Sequence, residues 1–455
     1  MPNPQSLPGL RRKSSTWRSL GPAVVAILAL GIFGWDLASE PHFVDESAYL
    51  SQSFYVDLLF RGARDDPAWL EYAGYDLPPL PKYLIGLALR AEGYRRPAPS
   101  AAREWYANTS RRFVSPGALT AARRPSVAFG VIGCLAIYAV GTLGFDRRVG
   151  WLSALLLMAN PLYRMHARRA MSDVPAEALI LATAAVGLWA WKRIVAGRST
   201  LAPGLALAAG SGVLGGLATL AKLNGALGGF VLAAWAALAI ALPARSWRAR
   251  AVIVMATIAA GGVSFATFVA LNPFLTARPA GPIEPRLADV ARLGFLDRVR
   301  AVKDHRVDVS ARAASIFPRD ALATAREKVE AVAVQGFGRF GPFGPRGRTD
   351  STIRFDPAQD RGAWIWLPWV ALGFGLALAR GRAQLRAGEP PAAWAVALQA
   401  GVALGVVTAF IPLAWDRYFL SIQPGSALLG ACAAVGVLDL ARRAWLPNLR
   451  EGSAP

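Results

Sequence analysis

The stretch PGLALAAGSGVLGGLATLAKLNGALGGFVLAAWAALAIAL, residues 203–242, decides the fold class. Lys222 is its only charged residue. Two runs, apolar all round, flank the break at Lys222–Asn224, whereas a helix on a soluble domain keeps one polar face. Each run has the length of a bilayer span, which takes ~20 residues of helix.

The same pattern recurs along the 455 residues. Apolar windows fall at 21–38, 126–144, 150–163, 176–191, 203–220, 225–242, 251–272, 362–380, 393–412 and 419–440. The expectation is therefore an all-α integral membrane protein of about ten transmembrane helices with two extracytoplasmic loops. Hydrophobic residues make up 54% and charged residues 17% of the chain, and mean hydropathy is +0.34, which excludes an ordinary soluble enzyme. Cys134 and Cys432 both lie inside apolar blocks, so no disulfide framework is expected.

Fifty Lys and Arg against 29 Asp and Glu leave a net charge of +21. The basic residues sit in short runs between spans rather than on one face, which argues against nucleic acid. They are Arg11, Arg12, Lys13 and Arg18 in the tail, then Arg147-Arg148, Lys192-Arg193 with Arg198, and Arg245, Arg248 and Arg250. Arg380, Arg382 and Arg386 follow, with Arg442-Arg443 at the end. Every second connection is thus basic, and an even span count puts both termini on that side, the cytoplasmic one of an inner or plasma membrane. Arg11–Arg18 before Pro22–Trp35 also has the look of a secretory signal, but Ala38-Ser39 is a poor cleavage site.

The organisation expected is a basic tail (1–20), a catalytic core (21–272), an external cap (273–361), a last group of helices (362–440) and a cytoplasmic tail (441–455). The first external loop, 39–125, carries Arg95, Arg96, Arg103, Arg111 and Arg112, and long loops translocate largely regardless of charge. It holds a helical stretch at Lys82–Ala91. The cap holds two, Phe295–Arg300 and Ala321–Val332, before a flexible glycine run at Gly336, Gly338, Gly341 and Gly344. No internal repeat is visible.

Unusual polar residues mark the external ends of the spans: Asp45-Glu46, Arg168-Arg169 with Asp173, Lys222 with Asn224, and Asp416-Arg417-Tyr418. Ionisable groups at a membrane edge are costly unless paired or wet, so their gathering on one side points to a site. Asp45, Glu46 and Asp173 offer a general base or, through Asp45 and Asp173, a divalent-metal site. Lys82, Arg123, Arg168, Lys222 and Arg417 offer an anion clamp. A carboxylate base beside a phosphate clamp suits displacement at a sugar carbon with a phosphate leaving group. The chain has no phosphate-binding G-x-x-x-x-G-K-[ST] loop, no G-x-S-x-G elbow and no H-E-x-x-H helix.

Several of these pieces resemble protein O-mannosyltransferases and their bacterial relatives. Val44-Asp45-Glu46-Ser47-Ala48-Tyr49 is similar to the Asp-Glu-x-x-aromatic opening of that family's first external loop. Asp76-Leu77-Pro78-Pro79-Leu80-Pro81-Lys82-Tyr83-Leu84-Ile85-Gly86 resembles its His-Pro-Pro-Leu-x-Lys-x-Leu-Ile-Gly stretch, with Leu77 in the histidine's place. Arg123-x-x-Ser126-x-x-x-Gly130 resembles the start of its next span. Arg168–Asp173 is similar to its Arg-x4-Asp motif, and Gly215–Lys222 to its Gly-x-x-x-Gly-x-Ala-x-x-x-Lys span. Order and spacing agree over residues 40–230, and Asp416-Arg417-Tyr418 looks like a turn of the bacterial relatives.

The resemblance implies a GT-C type glycosyltransferase using a polyprenyl-phosphate sugar donor, in a group that includes aminoarabinose transferases acting on lipid A. It implies Asp45 as the base that deprotonates an acceptor hydroxyl, with inversion at the sugar. Glu46 orients Asp45 or pairs with a basic residue, and Asp173 serves acceptor or metal, or simply caps its helix. Lys82 binds phosphate or snorkels at the interface. Tyr49, Tyr55, Tyr72 and Tyr75 read as interface aromatics. His42 and His166 are the histidines near enough in sequence to join a mixed metal site with Asp45 and Asp173, and His305 stands apart. The acceptor stays open among protein, lipid and glycan. A secondary transporter or a lipid-linked sugar flippase is the alternative, although it calls for ionisable groups near mid-membrane.

Overall fold

The computed structural model describes residues 16–94, 115–198, 201–242, 247–318, 320–337 and 361–445. The basic residues Arg11, Arg12, Lys13, Arg95, Arg96, Arg103, Arg111, Arg112 and Arg245, and the glycine run at Gly338, Gly341 and Gly344, lie outside them.

The described chain opens with α1 (Thr16–Gly34) and then a run of short helices: α2 (Val44–Ser51), α3 (Tyr55–Phe60), α4 (Tyr72–Asp76) and α5 (Leu80–Ala91). A bundle follows: α6 (Pro116–Gly144), α7 (Arg147–Ala159), α8 (Pro161–Ala167), α9 (Asp173–Val195), α10 (Leu201–Ala221), α11 (Leu227–Ala241) and α12 (Trp247–Ala270). The cap contains α13 (Ala288–Arg292), α14 (Phe295–Ile316) and α15 (Ala325–Ala331). The chain returns to the bundle as α16 (Arg361–Arg386), α17 (Ala392–Phe410), a 3-10 segment Asp416–Ile422, and α18 (Gln423–Trp445). Among the described residues there is no strand, only an isolated bridge between Ala321 and Leu413.

Eight helices are long and apolar enough to cross a membrane, and Leu20–Gly34 is a shorter apolar one. The expected ten spans are therefore not all matched. The window 150–163 is broken at Asn160, whose side chain accepts from Tyr163 N at 2.9 Å and starts α8. Pro161 has no N–H to continue α7, and the residue before a proline is pushed out of the helical region. In the cap, α14 runs well past the expected Arg300, and α15 is shorter than expected.

Local chemistry sets the other boundaries. Ser115 caps α6 by accepting from Ala118 N, with Pro116 in the first turn. Asp146 caps α7 through Arg148 N and Val149 N. Helix α6 is central, packed against α1, α7 and α9. Glycines let α10 and α12 approach closely: a Cβ on Gly212 would stand 2.5 Å from Ala260 O, and one on Gly216 2.5 Å from Ser264 O. Met255, Ile258 and Phe265 of α12 and Ile365 of α16 are exposed, as befits side chains facing lipid tails.

Candidate active site

Helix α2 carries two adjacent acids in its first turn, and neighbours on a helix point about 100° apart. Glu46 turns inward and is fully buried. One of its oxygens accepts from Arg123 Nε at 2.8 Å and Ala170 N at 2.8 Å; the other accepts from Arg123 Nη2 and Phe43 N, both at 2.9 Å. Arg123 spends its remaining donors on the carbonyls of Leu37, Glu40 and Pro41. This closed brace ties the first loop to α6 and leaves Arg123 no donor for a phosphate.

Arg168 spends four of its five N–H donors in the same way, on Glu40 at 3.1 Å and the carbonyls of Phe33, Trp35 and Asp36. Lys82 is fully buried, with Nζ donating to Ala73 O at 2.6 Å and Leu77 O at 2.7 Å, beside the Tyr55 ring. Burial pulls the Lys82 amine down to about 7 against a lesser upward pull from Asp76, so much of its population is neutral near that pH. Three of the five cations expected to clamp a phosphate thus serve the frame of the first loop in this structure. The reason is burial: in sequence an interior arginine and a ligand-facing one look alike.

The other residues come together. Asp45 turns outward and its carboxylate accepts from Arg417 Nη1. Asp173, in the first turn of α9, accepts from Lys222 Nζ at 2.7 Å. Tyr49 packs between the two pairs: its hydroxyl donates to Ser172 Oγ at 2.7 Å. Burial first, then the charges of Asp173 and Asp45, push that hydroxyl's pKa up. On the cationic side, Arg417 lies 4.8 Å from the Trp415 ring, and the Tyr418 ring lies 5.8 Å from both Arg417 and Lys222. Side-chain exposure separates three of these four charged groups from the frame: Asp45 18%, Arg417 17% and Lys222 23%, against 1% for Arg123 and 6% for Arg168, whereas Asp173 is 2% exposed.

The 3-10 segment that carries Arg417 is fixed from the cap and from the bundle. Trp415 Nε1 donates to Asp320 at 2.9 Å, and Ser421 Oγ donates to Glu177 at 2.7 Å. On the far side of the first loop, Asp76 accepts from Arg306 at 2.7 Å and bonds His305 at 3.2 Å. Burial alone would raise the Asp76 carboxyl, but His305 and Arg306 outweigh it and hold it below the usual carboxylate range.

Sequence reasoning gave no site role to Tyr49, Ser172, Glu177 or Ser421. Tyr49 follows the Asp45-Glu46 pair by one helical turn, which is the signal that could have found it. The expected mixed metal site is not assembled: His42 bonds Ser47 at 2.9 Å, and among the described residues no group of three His, Cys, Asp or Glu is arranged to hold an ion. Asp45 and Asp173 each face a protein cation instead, so as arranged they do not fit a divalent ion.

No protein-family profile matches the chain, and no curated protein sequence does. Solved structures do. An Archaeoglobus fulgidus oligosaccharyltransferase tethered with an acceptor peptide matches at TM-score 0.55 and 14% identity, over 94% of this chain and 50% of that one. ArnT from Cupriavidus metallidurans, bound to undecaprenyl phosphate, matches at TM-score 0.50 and 15% identity, over 92% and 60%. The chain has the fold of the GT-C glycosyltransferases. The archaeal oligosaccharyltransferase AglB of A. fulgidus, in complex with an inhibitory peptide and a dolichol-phosphate, shares it at TM-score 0.52 and 14% identity, over 96% and 52%. This chain spans about half the length of the archaeal enzymes it matches. Within the GT-C fold, the paired charges Asp45–Arg417 and Asp173–Lys222 lie together at one end of the bundle.

Proposed function

We propose that this chain is a membrane glycosyltransferase that moves a sugar from a polyprenyl-phosphate donor to an acceptor hydroxyl or phosphate on the extracytoplasmic face, with inversion. The observation that carries the proposal is the half-buried Asp45–Arg417 pair in a GT-C fold. A carboxylate held by an arginine is a base in waiting when the donor brings a phosphate that competes for the same arginine.

In this mechanism the donor phosphate takes the guanidinium of Arg417 and the ammonium of Lys222, and Asp45 is released toward the acceptor. The acceptor oxygen forms its bond to the anomeric carbon as the carbon–phosphate-oxygen bond breaks. The electron pair leaves with the polyprenyl phosphate, and the acceptor proton passes to Asp45. Lys222 and Arg417 stabilise the charge that grows on the departing phosphate. Asp173 holds Lys222, and Tyr49 with Ser172 fixes the spacing of the two carboxylates. Both termini are placed in the cytoplasm of an inner or plasma membrane, and the acceptor is a protein, lipid or glycan.

The test is a transfer assay on the purified chain in nanodiscs with a panel of radiolabelled polyprenyl-phosphate sugars. Release from one donor, lost in Asp45→Asn, is the expected result. Turnover by Asp45→Asn at the wild-type rate would remove the base assignment. Movement of intact donor across the bilayer of sealed proteoliposomes, without release, would replace the enzyme by a flippase.

A further inference from the structure

We infer that His166 is a positioning residue: it holds Asp416, and through it the turn of Arg417, while that arginine exchanges Asp45 for the donor phosphate. The inference rests on the proposed donor site and names one more residue that serves it.

The short helix α8 lies along the 3-10 segment and faces it at both ends. At its start, Asn160 Nδ2 donates to Gln423 Oε1 at 2.7 Å. At its end, His166 Nε2 stands 3.7 Å from Asp416 Oδ2. Between them Ser421 donates to Glu177 of α9 at 2.7 Å. Besides the Trp415–Asp320 bond to the cap, the segment and the residue that follows it are thus held to the bundle at three points. Two are hydrogen bonds and the third, next to Arg417, is open by nearly an ångström.

That open contact is unpartnered on both sides. His166 and Asp416 are each 2% exposed, and neither ring nitrogen nor Asp416 Oδ2 has a hydrogen-bond partner among the described residues. Burying such groups unpaired is costly, so their mutual approach is the available compensation. The other oxygen of Asp416 accepts from the backbone N–H of Arg417 at 2.6 Å. A shift of Asp416 toward His166 is therefore transmitted to the arginine's own backbone. In the resting structure the guanidinium is anchored on Asp45. Once a phosphate competes for it, that anchor is lost, and the His166–Asp416 contact remains, beside the Trp415 ring and its bond to Asp320, to restrain where Arg417 points.

Two measurements on the full chain in nanodiscs test this: affinity for undecaprenyl phosphate, and hydrogen–deuterium exchange of 416–422 without ligand. Expected are a loss of affinity of about tenfold and faster exchange in His166→Phe, with His166→Gln, which keeps a donor, near wild type. The double variant His166→Phe with Arg417→Gln should bind no more weakly than Arg417→Gln alone, because His166 acts through Arg417. Wild-type affinity and exchange in a monodisperse His166→Phe overturns the inference, and so do losses that multiply in the double variant. Faster exchange in His166→Phe, with no undecaprenyl phosphate bound even by wild type, upholds the positioning role and removes the donor reading.

Discussion

Asp45 and Glu46 are consecutive acids of one helical turn with different tasks. Glu46 satisfies four donors and neutralises a buried arginine, whereas Asp45 has a single arginine and a path to solvent. Removing one partner of a buried pair leaves an uncompensated charge, so Glu46→Gln is expected to cost ~3–5 kcal/mol. A thermal denaturation series in detergent checks this: a large loss of melting temperature for Glu46→Gln, and little for Asp45→Asn. Lys82 gives a second prediction. Its amine is pulled down to about 7 in the fold, below the ordinary lysine value of 10.5. Between those values the unfolded chain binds a proton that the folded chain does not, so this residue's contribution to stability rises with pH from about 7 to 10.5 and is flat below. Subtracting the Lys82→Gln melting curve from wild type should isolate a positive slope confined to that window. A difference that is level with pH would show the lysine to be charged throughout.

At the scale of elements, apolar run length was enough to read the long helices, because a membrane span must satisfy its whole backbone within one continuous helix. It was not enough at 150–163, where the Asn160-Pro161 turn signal is hidden inside an otherwise apolar window. The site was legible as four polar clusters at span ends. Their pairing was not, since Asp45 and Arg417 are 372 residues apart and no local pattern links them. Nor could sequence tell Arg123 from Arg417; only burial separates a brace from a partly exposed cation. The turn between α10 and α11 that presents Lys222 depends on a glycine. A Cβ on Gly225 would lie 2.1 Å from the carbonyl of Ala218, too close for the backbone to stay where it is. Gly225→Ala is therefore expected to cost about 1–3 kcal/mol and to weaken transfer by shifting Lys222 away from Asp173. Gly229, where an added Cβ would meet nothing within 4 Å, is the control. Gly229→Ala should leave activity intact and stability equal or higher by up to ~1 kcal/mol.

For the whole molecule, function depends on which end of the bundle faces out. The end carrying Asp45, Asp173, Lys222 and Arg417 has its charges paired within the site, and the opposite end is tied by Arg148 to Asp439 at 2.6 Å and Arg380 to Asp146 at 3.3 Å. Basic connections favour the cytoplasm, and on that reading we propose that the site lies outside, where the proposed donor would meet its acceptor. Both native cysteines are buried, so single exposed cysteines report the side directly. On the proposed orientation Arg64→Cys, between α3 and α4, should react with a membrane-impermeant maleimide in intact cells. Arg382→Cys, at the far end of α16, should react only after the membrane is opened. Both positions are exposed in the structure, so a failure to label reports sidedness rather than burial. The reverse pattern would turn the molecule over. The active site would then face the cytoplasm, and the acceptor would have to be sought among cytoplasmic molecules while the proposed chemistry at Asp45 stood unchanged.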